Sequence, residues 1–392
     1  MTEKMKTVQD SMGRMEAPKD PVLQEDLDLV AADQQLVTAL AGKRILITGA
    51  TGLVGSWLIR ALACMNRRNR NGMKIYGIIR SREKAEEIYG QDFLQREDVE
   101  LLSADITAPD FTENVEKTLQ KEASGDGRGA VRTALDVVIH GAAVTVSKMM
   151  VEQPVETIMT AILGTRNLLE LARAAGAKRF VYLSSMEMYG SLVDEAGRDI
   201  PATEDRLGFL DLTRVRTDYP ESKRMCENLC IGFGHEYGMD VMIARLSQTF
   251  GAGILPWEKR VFSQFARSAV HKTDIVLHTK GLSEGNYCYT RDSVRGILTI
   301  AARGEKGEAY NVSNERTHTT IAGMAKMVAD RIAGGEIRVI FDIPETNTFG
   351  YAADTKLFLD ASKLRALGWE PEVDLEEMYR RLIASMENEG IA

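Results

Sequence analysis

The run ITGATGLVGSWLIRAL, residues 47–62, limits the fold more than any other part of the chain. An apolar, β-rich stretch leads into Gly49, Gly52 and Gly55, and an amphipathic helical pattern follows. In a strand–turn–helix setting the first glycine permits a tight turn, the second lets a diphosphate approach the backbone, and the third lets helix pack closely on strand. Backbone N–H groups at the helix start then face the negative charge. Thr51, Leu53 and Val54 complete that turn as candidate cofactor contacts. The motif therefore predicts a dinucleotide-binding site.

The rest of the chain continues the pattern. KIYGIIR, VELLSAD, DVVIHGAA, RFVYLSS and VMIARLS read as strands, with helical stretches such as PVETIMTAILGTRNLLELARAAG between them. Continuous apolar strands alternating with helices predict an α/β fold, a Rossmann-type doubly wound parallel sheet covered on both faces. Three parts are expected: an N-terminal extension over residues 1–40, a dinucleotide-binding domain over 41–250, and a smaller C-terminal substrate-binding lobe over 251–392. Some segments of that lobe are expected to return to the Rossmann domain. The extension should have a mobile start and then one or two helices packed through Leu27, Leu29, Val30, Leu36, Val37 and Leu40.

Charge and cysteine content narrow the function. A net charge of −8 argues against a general nucleic-acid binder. No apolar run reaches the ~20 residues needed to span a bilayer, and the first residues lack the apolar core of a signal peptide. No membrane partner and a cytoplasmic location are therefore expected. Cys64, Cys226, Cys230 and Cys288 show no disulfide framework. Cys226 and Cys230 lie one helical turn apart without a matching pair, so no metal is expected.

The second strand ends in Arg80, Ser81 and Arg82, with no acid at its tip. A carboxylate there would bind the ribose hydroxyls of NAD. Two guanidiniums suit a 2′-phosphate, which favours NADP over NAD. An arginine stacked on adenine would serve NAD equally. Asp105 and Ile106 follow the third strand and Ala142 and Ala143 the fourth, placing them at the same sheet edge.

The reaction chemistry lies in YPESK, residues 219–223. Tyr219 and Lys223 share one helical face. A phenol of pKa ~10 is a poor base at neutral pH, and a nearby ammonium is expected to lower it. The lysine can also hold the nicotinamide ribose. Upstream, FVYLSSMEMYG offers Ser184, Ser185 and Glu187 at a strand end. A serine hydroxyl there can orient the substrate hydroxyl that Tyr219 deprotonates.

GATGLVG, DVVIHGAA, LSSMEMYG, YPESK and LDASKLRALGWEP together resemble the extended short-chain dehydrogenase/reductase family, the NAD-dependent epimerase/dehydratase type, over residues 42–386. That family includes UDP-galactose 4-epimerase, nucleotide-sugar 4,6-dehydratases and UDP-glucuronate decarboxylase. The resemblance implies a bound nicotinamide cofactor and a nucleotide-sugar substrate. It implies Ser185, Tyr219 and Lys223 as the catalytic set, with Ser185 five residues before Gly190 in an S/T-x-x-x-Y-G pattern. Glu187 joins them, because dehydratases and decarboxylases of the family have a glutamate there. VRTDYPESKRMCENLC looks closest to the decarboxylase branch, whereas Met186 stands where the commonest dehydratases have aspartic acid. Thr145, Ser185, Gln248 and Asn286 are the candidate substrate contacts. Gln248 stands for the asparagine of the family's R-x-x-N-x-x-G-P. Asn286 stands in the place of an arginine that grips a diphosphate or a sugar carboxylate, and Lys259, Arg260, Lys280 or Arg291 could supply that charge instead.

The expected activity is NAD(P)-dependent modification of a nucleotide-linked sugar through a transient keto-sugar. An NADPH-dependent reductase of a keto-sugar or other carbonyl is the alternative, and a non-catalytic dinucleotide-binding regulator a third. A homodimer is also expected. Ile158, Ile162, Leu169, Met225, Leu229 and Phe233 spread apolar surface around two helices, more than one sheet can cover, and the family resemblance implies the same.

Overall fold

The computed structural model describes residues 15–125, 135–344 and 354–392. The expected mobile start lies largely outside them. Seven parallel strands form the main sheet: β1 (Arg44–Thr48), β2 (Lys74–Ile79), β3 (Val99–Ser103), β4 (Val137–His140), β5 (Arg179–Ser185), β6 (Asp240–Leu246) and β10 (Ala309–Val312). Their spatial order is β10-β6-β5-β4-β1-β2-β3. The order reverses direction between β1 and β4, and in open α/β sheets such a switch point opens a crevice at the strands' carboxyl ends.

The apolar strands divide their side chains between two cores. Ile45 and Ile47 of β1 enter one cluster with Ile75, Ile139 and Leu183. Leu46 enters the other with Tyr76, Val138 and Phe180. Helices Leu53–Asn69 and Thr290–Arg303 supply apolar residues to the first, and Pro154–Ala174 and Asp218–Tyr237 to the second. Both faces are thus dry, which is why the strands read as unbroken apolar runs. The C-terminal part adds β7 (Gln248–Phe250), β9 (Glu284–Tyr289) and β11 (Asn314–Thr320) as a small sheet, and pairs β8 (Ile275–Leu277) with β12 (Val339–Phe341). Strand β10 is a segment that returns to the main sheet.

The N-terminal stretch is an integral part of the body. Asp20 caps helix Pro21–Ala31 by accepting from the Val22 and Leu23 N–H groups, both at 3.1 Å. Leu23, Leu27 and Val30 bury one stripe, while Leu29 faces outward. Asp26, wholly buried, accepts from the Tyr289 hydroxyl at 2.5 Å and pairs with Arg291 at 3.1 Å and Arg381 at 2.9 Å. Burial nevertheless pushes its carboxyl above the usual range, against the pull of those partners.

Candidate active site

The glycine turn forms a cradle that larger residues would fill. Gly49 has φ +72°, and a Cβ there would lie 2.9 Å from the Gly141 carbonyl carbon. A Cβ on Gly55 would lie 2.2 Å from the Gly49 oxygen, so the third glycine is a packing requirement. The Gly52 N–H closes the turn on Gly49 O at 2.8 Å. No side chain caps the helix that begins at Leu53, and Thr51, Gly52, Leu53 and Val54 are half-buried. An uncapped helix start behind a glycine turn fits a dinucleotide diphosphate.

At the tip of β2, Arg80 is exposed. Its charge helps hold the Asp105 carboxyl below the usual range, after the larger effects of the Thr107 N–H and hydroxyl at 2.9 and 2.7 Å. Arg82 lies in helix Arg82–Leu94 and pairs one turn on with Glu86 at 3.6 Å. The tip is less free of acids than the sequence suggests, because Glu83 accepts from the Ser81 hydroxyl at 2.7 Å. A further cation missed in the sequence is Lys84, whose Nζ lies 4.1 Å from the Trp257 ring centroid and so joins the β2 side to the C-terminal part. Ile106 is buried against Gly164, and Ala142 and Ala143 are half-buried beyond β4.

The catalytic candidates meet because helix Asp218–Tyr237 is fastened to the end of β5. Lys223 Nζ donates to Leu183 O at 2.8 Å. Arg224 Nε donates to Met188 O at 2.7 Å in the 3-10 turn Met186–Tyr189. The next residues of β5 and its turn, Ser185 and Glu187, are thereby set against Tyr219. Burial and the Glu187 charge push the Tyr219 phenol up to about 12, and the neighbouring Ser185 hydroxyl draws it back down. The expected lowering by Lys223 is not what this arrangement provides. The ammonium lies 5.7 Å from the Tyr219 ring centroid, bonded to a backbone carbonyl, and burial draws its own pKa down to about 8.

Arg216, in the VRTDYPESK segment but given no role from the sequence, completes the site. Its Nη2 donates to both Glu187 carboxylate oxygens, at 3.2 and 2.9 Å, and its guanidinium carbon is 5.7 Å from the Tyr219 ring centroid. The signal for it is its place in the stretch that looks like the decarboxylase branch, three positions before the tyrosine. Of the four cations left open, Arg260 is felt at Tyr219. Arg291 is committed to Asp26, Asp292 and Glu372.

The remaining substrate candidates divide. Thr145 is exposed beyond β4, and Gln248 is half-buried in β7 opposite Tyr287. Asn286 is buried and braces another segment, donating to Leu359 O at 3.1 Å and accepting from Leu359 N–H at 3.0 Å. Its amide therefore secures the backbone where the expectation was a substrate contact. Cys226 and Cys230 are buried in the core, and among the described residues no group of His, Cys, Asp and Glu could hold a metal ion. No described helix is long and apolar enough to cross a membrane.

Comparison with known proteins identifies the family and the fold. The model of the NAD dependent epimerase/dehydratase family matches residues 45–313. The chain is 27% identical over 336 residues to UDP-glucuronic acid decarboxylase 6 of Arabidopsis thaliana, covering 85% of this chain and 86% of that protein. Its fold is similar to the structure of epimerase Mth375 from Methanothermobacter thermautotrophicus, with TM-score 0.72 and 24% identity over 90% of this chain and 94% of that one. It is likewise similar to UDP-glucuronic acid 4-epimerase from Bacillus cereus in complex with NAD, with TM-score 0.67 and 20% identity over 88% and 98%.

Proposed function

Because the chain belongs to the NAD dependent epimerase/dehydratase family, we propose that it remodels a nucleotide-linked sugar through a transient keto-sugar. The observation that carries this reading is Tyr219 set beside Ser185 and the Glu187–Arg216 pair, at the end of β5, one strand from the switch point. The glycine cradle of Gly49, Gly52 and Gly55 would hold a nicotinamide dinucleotide, and the chemistry it would supply is reversible hydride transfer with a sugar carbon. Tyr219 takes the proton of the sugar hydroxyl at that carbon, and Ser185 orients the same oxygen. Lys223 holds the cofactor ribose, and the Arg216 and Arg260 charges favour the phenolate. Glu187, paired with Arg216, serves as a second acid/base or orients the ring. Arg260 meets the substrate's negative charge. The epimerase, dehydratase and decarboxylase outcomes differ in the later bond changes at neighbouring carbons.

The test is incubation with a panel of UDP-, CDP-, GDP- and dTDP-sugars, read by mass spectrometry and NMR. A rearranged, dehydrated or decarboxylated nucleotide sugar is expected without net consumption of nicotinamide. Stoichiometric NADPH consumption would instead support the second reading, a keto-sugar reductase, which the exposed Arg80 favours.

We also propose NADP as the preferred cofactor, on Arg80. Charge-assisted hydrogen bonds contribute about 1.5–3 kcal/mol, so Arg80→Ala should weaken NADP binding by at least about tenfold. NAD affinity should change little. Calorimetry checks this, and a preference for NAD that survives Arg80→Ala would reverse the assignment.

A second copy of the chain is the proposed partner. Val155, Met159, Met225 and Ile231 are exposed along helices Pro154–Ala174 and Asp218–Tyr237, whereas Leu169 and Phe233 turn inward.

A further inference from the structure

His140 ends β4 directly opposite Thr48 at the end of β1. It is buried, and the proposed chemistry does not use it. Its hydrogen bonds leave one self-consistent arrangement of protons. The Thr48 hydroxyl oxygen accepts from the Gly141 N–H and the Ala142 N–H, both at 3.1 Å. A hydroxyl has two lone pairs and one proton, so Thr48 must donate that proton to His140 Nδ1, 2.7 Å away. Nδ1 is then unprotonated, and the ring proton sits on Nε2, which donates to Thr165 Oγ1 at 3.2 Å. An imidazolium would aim a second proton at an oxygen whose lone pairs are already committed. Burial and the nearby Lys223 charge act in the same direction, drawing the imidazole down to about 3.

The loop held by this relay borders the glycine turn. A Cβ on Gly49 would lie 2.9 Å from Gly141 C and 3.0 Å from Ala142 N, so the two backbones already touch. Gly141 is equally confined on its other side, where a Cβ would lie 3.0 Å from the Leu183 side chain, and Leu183 carries the carbonyl that receives Lys223. Small movements of residues 141–142 would therefore be felt at the cradle and beside the catalytic lysine.

We propose that His140 is a positioning residue for the dinucleotide: as a neutral imidazole protonated on Nε2, it orients the Thr48 hydroxyl, which clamps residues 141–142 against the glycine cradle. Thr165 fixes the far side of the ring. The proposal rests on the dinucleotide reading above.

Two measurements test it. NMR of isotope-labelled histidine in the unaltered protein should show one imidazole with an unprotonated Nδ1 and a protonated Nε2, absent from His140→Asn. Calorimetry with NAD and NADP should show affinity reduced about tenfold in Thr48→Val, equivalent to about 1.4 kcal/mol. His140→Leu should also lose affinity, and the double variant should lose less than the sum of the two, because both changes break the Thr48–His140 hydrogen bond. His140→Asn should stay within about threefold of wild type, since its amide oxygen can accept from Thr48. A purely structural role would lower thermal stability and leave the affinity of the folded protein unchanged. If His140→Leu fails to fold, Thr48→Val and the NMR of the unaltered protein decide the matter. Wild-type affinity in Thr48→Val, or a protonated Nδ1, overturns the proposal. A wild-type protein that binds neither NAD nor NADP overturns the dinucleotide reading itself.

Discussion

Tyr219→Phe should fold and bind cofactor like the native protein and lose nearly all turnover. The phenyl ring preserves the packing at the start of helix Asp218–Tyr237, and only the phenolic oxygen is removed. General acid–base catalysis contributes typically ~10²–10⁴-fold, so the loss should be at least of that order. Lys223→Met should be similarly damaging and should also weaken cofactor binding, whereas Tyr219→Phe should not. Turnover on the substrate found in the panel, measured beside calorimetric cofactor affinity, separates the two. Near-normal activity in Tyr219→Phe would move the proton-transfer role to another residue.

The largest effect on stability is expected at Asp26. Its carboxylate gathers Tyr289, Arg291 and Arg381, which belong to β9, the following helix and the C-terminal helix Leu375–Glu389. Burial outweighs those partners in the raised pKa of the carboxyl, so the cluster need not stabilise more than an apolar substitute of the same shape would. Removing one partner is different, because the others remain buried without compensation. Asp26→Ala should cost about 3–5 kcal/mol, as breaking a buried pair does. Urea denaturation followed by circular dichroism should show a lower midpoint, with Asn in the same position less severe because its amide oxygen still accepts from Tyr289. An unchanged midpoint in Asp26→Ala would mean that the N-terminal helix is not fastened through this carboxylate. That helix lies outside the stretch matched by the family model, residues 45–313, yet Leu23, Leu27 and Val30 belong to the main core.

Much of this arrangement is legible in the residues themselves. Six strands of the main sheet announce themselves as apolar runs because both faces are buried. The seventh, β10, has four residues, AYNV, and comes after a long excursion through the small sheet, so no periodicity marks it. Tyr219, Lys223 and Ser185 are readable from local spacing, since one helical turn and one strand end determine where they sit. The features that are not readable depend on distant contacts. Asn286 looks like any amide until Leu359, far along the chain, takes both its polar ends. Asp26 looks like an ordinary surface acid in an amphipathic helix. Arg216 sits beside the tyrosine in sequence, but its value comes from Glu187 on another element. The charge balance at Tyr219 is hidden for the same reason: Lys223 is nearby in sequence, but its ammonium is turned to the Leu183 carbonyl.

The transient oxidation of the sugar is tested most directly by a single-turnover experiment that tracks nicotinamide absorbance and sugar product together, in the wild-type protein and in Tyr219→Phe. In the wild type, absorbance should rise and fall back as product forms, leaving no net reduced cofactor. In Tyr219→Phe, neither the rise nor the product should be seen on the same timescale. Product formation with no change in absorbance, or one NADPH consumed for every product molecule, would contradict a keto-sugar made and resolved within one active site.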